Sequence, residues 1–147
     1  MALLLLSVDA GGTVVRMRLS AKGEGIARPV AEARRPSAGW DAFEADLARF
    51  LDSEQVKSAL GEGGIVGERR AGFALAGVVY SGALAGGVTR WGAEDVRDME
   101  PLAASHGFRC AAVLNDMEAA SLAAFNAPQA AVVPLDGGGP PRLGRFV

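Results

Sequence analysis

An apolar run over residues 3–6, extended by Val8, stops at Asp9 and meets Gly11, Gly12 and Thr13. Hydrophobicity without alternation over so short a stretch predicts a strand buried on both faces, with the Asp9 carboxylate emerging at its end. Two adjacent glycines predict a tight turn of positive φ that brings bare N–H groups close to a ligand. Residues 13–20 alternate as a half-exposed strand does. Residues 26–35 offer a third antiparallel strand, which Pro29 assigns to an edge, so the first three strands read as a meander.

The period then changes. After the turn Pro36-Ser37-Ala38-Gly39, apolar residues recur at helical spacing as Trp40, Phe43, Leu47, Phe50 and Leu51, with Ser37 or Asp41 as the cap. This stripe predicts a helix packed on the sheet, and Trp40 is read as core rather than as a stacking platform. Residues 60–70, rich in glycine and charge, read as an exposed loop. Residues 71–80 are small and apolar and predict a central strand whose carboxyl end admits a ligand or another backbone. Residues 81–89 predict a glycine-rich turn or short hairpin leading to Trp91. Residues 94–105 carry a helical stripe that Pro101 either kinks or restarts as a second short helix. Residues 108–114 form a further strand that delivers Asn115 and Asp116 to the start of a helix over 117–125, where an N-cap belongs. Residues 131–135 suggest one more strand, followed by a Gly-Pro loop. Strands and helices mixed in this way give an α/β chain.

The 147 residues fit one domain, half of them apolar and 22% charged. A net charge of −2 with scattered Lys and Arg gives no support for a nucleic-acid partner. The initial leucines lack preceding positive residues and end too soon to cross a bilayer, so the reading is a core strand of a cytoplasmic protein without a membrane partner. Cys110, the single cysteine, reads as a buried structural thiol. His106, the single histidine, precedes Gly107 and reads as a capping or surface residue.

Two carboxylates carry the candidate chemistry. Asp9, beside the glycine turn, suits phosphate oxygens and Mg²⁺, a cation that shares oxygen ligands with substrate phosphates; a plain Gly-Gly hairpin with a solvated Asp is the alternative. Asp116, at a strand end, is either a helix cap or a base that accepts a proton from an attacking hydroxyl. If the two strands are parallel in one sheet, both acids open at its carboxyl edge, where α/β sheets place their ligands. Asn115 carries both a donor and an acceptor and suits a polyol.

The segment Val-Asp-Ala-Gly-Gly-Thr-Val-Val-Arg at 8–16 resembles the first phosphate motif of bacterial glucokinases, and Val-Leu-Asn-Asp-Met-Glu-Ala-Ala at 113–120 resembles their Asn-Asp-x-x-Ala motif. Ala74-Leu-Ala-Gly-Val-Val and Thr89-Arg-Trp91 fall where that family has a strand of small residues and a sugar loop, and residues 133–145 resemble the approach to its second phosphate motif. The resemblance implies a ribonuclease-H-like lobe with a mixed sheet, an antiparallel meander plus parallel strands, flanked by helices. It implies phosphorylation of a hexose from ATP and Mg²⁺: Asp116 as general base, Asn115, Asp116 and Thr89 against the sugar, Asp9 on the metal, and Gly11, Gly12 and Thr13 on the phosphates. Val14 replaces the family's Asn, and the sugar loop lacks its Asn. Residues 1–147 are expected to form the N-terminal lobe alone, with the C-terminal lobe or a second copy as partner and some apolar surface left exposed. A non-catalytic remnant and an N-acetylhexosamine kinase are the alternatives.

Overall fold

β1 (Ala2–Ala10) and β2 (Val14–Lys22) form the opening hairpin, paired from Leu3 with Lys22 to Ala10 with Val15. β3 (Arg28–Pro36) continues the meander at the sheet edge, with a register slip between Leu19 and Ser20 that accommodates Pro29. The computed structural model describes residues 2–24, 27–61, 67–81, 83–85, 88, 91 and 97–127. The expected strand at 131–135 and its loop lie outside the described residues, as does Thr89.

α1 (Trp40–Leu51) follows, burying the five aromatic and aliphatic residues of its stripe. Its cap corrects the expectation. Gly39, at φ 109°, is the N-cap without a side-chain bond, whereas Ser37 Oγ accepts from the indole Nε1 of Trp91 and Asp41 lies in the first turn. α2 (Glu54–Leu60) was not anticipated; it buries only Val56, too little to leave a period in the sequence. β4 (Gly67–Leu75) begins where a loop was expected. Three of its first four residues, Gly-Glu-Arg-Arg, are charged, which that half-exposed end of the strand tolerates. The strand ends at Leu75 rather than at residue 80: β5 (Val79–Tyr80) and β6 (Ala83–Leu84) form a short hairpin that pairs with β7 (Arg97–Asp98) in a second, three-stranded sheet.

α3 (Met99–Ser105) starts at the Asp98 cap, whose carboxylate accepts from Glu100 N. Pro101 sits in the first turn, where a missing N–H costs no helical bond, so it belongs to the start of a short helix rather than to a kink. The helix stops at His106, with Gly107 at φ 76° and bonds from Gly107 N to Ala104 O and from Phe108 N to Ala103 O. That left-handed closure needs the glycine. β8 (Arg109–Asn115) and α4 (Asp116–Phe125) complete the described chain.

The main sheet has the order β3-β2-β1-β4-β8, with β1, β4 and β8 parallel and the first three strands antiparallel. With four helices among the described residues, this is an α/β lobe of ribonuclease-H-like type. The two faces of the sheet differ. On the inner face, Leu4, Leu6, Val8, Val15, Met17 and Phe73 pack with Phe43, Leu47 and Met99 into one core. On the outer face, Leu3 and Leu5 are half buried and Ser7, Arg16 and Arg18 exposed. β1 is therefore covered on one face only, and its run of leucines misled: the inner leucines reach 0–1% exposure while the outer ones do not. α4 buries none of its side chains and leaves Met117, Leu122 and Phe125 exposed. Among the described residues no helix is long and apolar enough to cross a membrane.

Candidate active site

Register fixes the site. Asp9 of β1 stands opposite Ala74 of β4, which stands opposite Leu114 of β8; one step on, Ala10, Leu75 and Asn115 are aligned, and Asp116 follows. Because the three strands run the same way, Asp9 and Asp116 reach the same carboxyl edge, separated across the sheet by two strand spacings of about 10 Å in all, with Asp116 two residues further along. Small residues in between, Ala74, Ala76 and Gly77, leave that edge low.

The glycine turn is built differently from expectation. Among the described glycines positive φ occurs at Gly39 and Gly107, not at Gly11 or Gly12, so the glycines of the turn serve by lacking side chains. Gly11 N bonds Val14 O at 3.1 Å and closes the hairpin, while Thr13 O accepts from Ser37 N at 2.9 Å and ties the turn to the start of α1. The amides of Gly12 and Thr13 have no partner among the described residues, and Thr13 is exposed.

Asp9 is 45% exposed at its side chain and accepts from Arg16 Nη1 at 2.8 Å, its neighbour across the β1–β2 pair. A pair so open contributes about 0–1 kcal/mol. It orients the carboxylate without locking it.

At the other strand end, Asn115 is the N-cap of α4. Its Oδ1 accepts from Met117 N at 3.0 Å and its Nδ2 donates to Gly77 O at 2.8 Å. The latter bond ties the end of β8 to the bend after β4. Asp116 is half buried and accepts from the same Met117 N–H through Oδ1 at 2.9 Å, which leaves Oδ2 without a partner among the described residues. Asn115 and Asp116 thus share the Met117 N–H, and one oxygen of Asp116 stays open beside the cap.

A groove of 740 Å³ opens on the outer face, floored by Ser7, Gly72, Ala74 and Ala112, flanked by Ala119 of α4 and walled by Arg16, Arg18, Glu32 and Arg34. Asp9 lines it; Asn115, Asp116 and the glycine turn do not. The sheet thus unites Asp9 and Asp116 at one edge, with the groove opening beside Asp9. Among the described residues no cluster of three or more His, Cys, Asp or Glu forms a metal cage.

Trp40 is 8% exposed and packs against Phe43 and Trp91 at centroid distances of 5.3 and 5.9 Å, so its core assignment holds. Arg97 stacks over its ring at 5.1 Å. Cys110 is half buried rather than enclosed, and its thiol pKa is raised by desolvation and then by the Glu100 carboxylate. Sequence reasoning missed Arg16 and Arg34 as groove residues; their signal was the period-2 spacing of Arg16 with Arg18 and of Glu32 with Arg34.

Comparison with curated proteins gives no match. The sequence model of the family described as Glucokinase matches residues 6–145, nearly the whole chain. The parallel strands that carry Asp9 and Asp116 to one edge belong to that matched stretch, and the chain is a member of the glucokinase family, a family of hexose kinases.

Proposed function

We propose that the chain is the N-terminal lobe of an ATP-dependent kinase that transfers the γ-phosphoryl group to the 6-hydroxyl of glucose in the cytoplasm. The observation that carries this reading is the parallel register of β1, β4 and β8, which brings Asp9 and Asp116 to one sheet edge about two strand spacings apart. In this reading the Asp116 carboxylate accepts the hydroxyl proton as the sugar oxygen bonds to the γ-phosphorus, and the bond to the bridging oxygen breaks to release ADP. Its free Oδ2 supports that role, because capping occupies only Oδ1.

Asn115 retains one N–H and one lone pair beyond its two bonds, enough to position a sugar hydroxyl. Thr89 is assigned to the sugar through the family resemblance. The unpartnered amides of Gly12 and Thr13, beside the side-chain-free Gly11, suit the ATP phosphates. The donor set fits Mg²⁺ in one form: a single half-exposed carboxylate, Asp9, suits an ion that keeps its waters and shares its remaining ligands with phosphates. Bound there, Mg²⁺ supplies charge neutralisation to the transferring group.

A non-catalytic lobe of the same family is the second reading, favoured by the engagement of Asn115 and Asp116 in the α4 cap. A coupled ADP-release assay on glucose separates the two. Turnover that falls by about 10²–10⁴ in Asp116→Asn supports the base. Turnover that survives the substitution removes it, and a chain that is folded but inactive with every sugar of a panel, N-acetylated hexosamines included, supports the second reading.

A further inference from the structure

We propose that Arg34, together with Arg16, forms an anion-binding step on the groove wall that takes the phosphates of a nucleoside polyphosphate behind the one that is transferred. This inference rests on the assignment of Asp9 to the phosphate side, and adds a residue from outside the motifs. Across the sheet, Asp9, Arg16 and Arg34 stand in one row, since Asp9 pairs with Arg16 and Arg16 with Arg34. The next row holds Ser7, Arg18 and Glu32. Both rows line the groove.

Charge in the two rows does not balance. Arg16 is held by Asp9 at 2.8 Å and Arg18 by Glu32 at 2.7 Å, while the Arg34 side chain has no partner among the described residues and is exposed. Arg34 also faces a like charge, because its cross-strand neighbour is Arg16. Directly opposed like charges on adjacent strands destabilise a sheet. Nothing in the inner core requires a guanidinium at this position.

An oxyanion joining the two guanidiniums turns that repulsion into two charge-assisted contacts. The row also orders the ligand: Asp9 next to the turn, then Arg16, then Arg34. When Asp9 engages a cation, its weak, exposed pair with Arg16 gives way at little cost, and two arginines then face the groove. A nucleoside polyphosphate with its divalent cation presents both charges in that order. A neutral sugar presents neither.

The test is equilibrium binding of ATP and of inorganic pyrophosphate, each with and without Mg²⁺, to the full chain. Arg34→Ala is expected to weaken both ligands by about tenfold, the loss of one charge-assisted contact, and Arg34→Lys to recover part of it. Arg28→Ala, on the same strand, also exposed and outside the groove lining, removes the same charge and is expected to leave binding unchanged. Equal losses in Arg34→Ala and Arg28→Ala would reduce the effect to net charge and overturn the proposal. If Asp9→Asn abolishes the Mg²⁺ dependence while Arg34→Ala is silent, Arg34 is excluded and the Asp9 assignment stands. If Arg34→Ala weakens pyrophosphate but Asp9→Asn leaves Mg²⁺ dependence intact, the anion step stands and the Asp9 assignment fails. Absence of binding by the unaltered chain overturns the step itself.

Discussion

The two faces of the main sheet are made by the same strands and do opposite things. On the inner face, alternate residues from Leu4 to Ala10 of β1, Val15 to Leu19 of β2 and Ala71 to Leu75 of β4 are buried in one core with residues of α1, α2 and α3. The outer face carries serine, glycine and alanine in the middle, arginines and acids on one side and α4 on the other. One face holds the lobe together and the other remains available for ligands. The difference is written in side-chain volume: Phe73 and its neighbour Gly72 lie on one strand, one filling the core and the other flooring the groove.

The largest expected effect tests that division directly. Phe43, 2% exposed and packed on both tryptophans, is expected to cost about 3–5 kcal/mol of stability when replaced by Ala. Leu122→Ser on α4, where the residue is 48% exposed, is expected to shift stability by no more than about 0.5 kcal/mol. Urea unfolding of the two variants measures both. Similar losses would mean that the outer helix is packed in solution, and the contrast between the faces would collapse.

Asn115 is the point where the outer helix is tied down. Replacement by Ala removes the α4 cap and leaves Gly77 O without its donor, an expected loss of about 0.5–2 kcal/mol. Asn115→Ser keeps an acceptor for Met117 N and is too short to donate to Gly77 O, so it is expected to fall between the native chain and Ala. If Ser matches Ala, the Gly77 tie carries the whole effect and the cap none. Hydrogen exchange at α4 distinguishes a frayed helix from a displaced strand end.

The sequence made the inner face legible and the outer face much less so. The meander and α1 follow from periods of 2 and 3.6, because burial on one side leaves a pattern, whereas β8 and α4 follow from an apolar run and the cap at Asn115, since α4 buries none of its side chains. α2 buries one residue and leaves none. The start of β4 is charged, and so resembled a loop, because strand pairing is a backbone property that tolerates exposed Glu68 and Arg70 on its margin. The four leucines of β1 gave the right element and the wrong environment: hydrophobicity reports what a face tolerates, whereas coverage depends on where distant helices land. Asp9 and Asp116 were placed at one edge by strand direction alone, and the structure has that direction. Arg34 lies outside every motif, and its significance appears only once β3 is set beside β2.

The smallest effect concerns how tightly the inner face closes at the β8 edge, where Cys110 packs against the core while Ala111 and Ala112 are exposed. Burial raises the Cys110 thiol above its ordinary 9.0, and the carboxylates of Glu100 and Asp98 add to the shift, against a smaller opposing hydrogen bond with the Ala112 backbone. The folded chain therefore keeps this proton to a higher pH than the unfolded chain does. Below pH 9.0 both states are protonated and the thiol favours folding fully; above it the unfolded state loses its proton first, so stability falls until the folded thiol also ionises. Comparing urea stability of the native chain and Cys110→Ala from pH 8 to 10 isolates this contribution, because every other titrating group is shared by the two. The native chain is expected to lose slightly more stability than the variant over that interval, and to react slowly with a thiol reagent at pH 8. Parallel curves with prompt reaction would show that the inner face is open to water at β8, and that the boundary between the covered and uncovered halves of the sheet lies one strand further in, at β4.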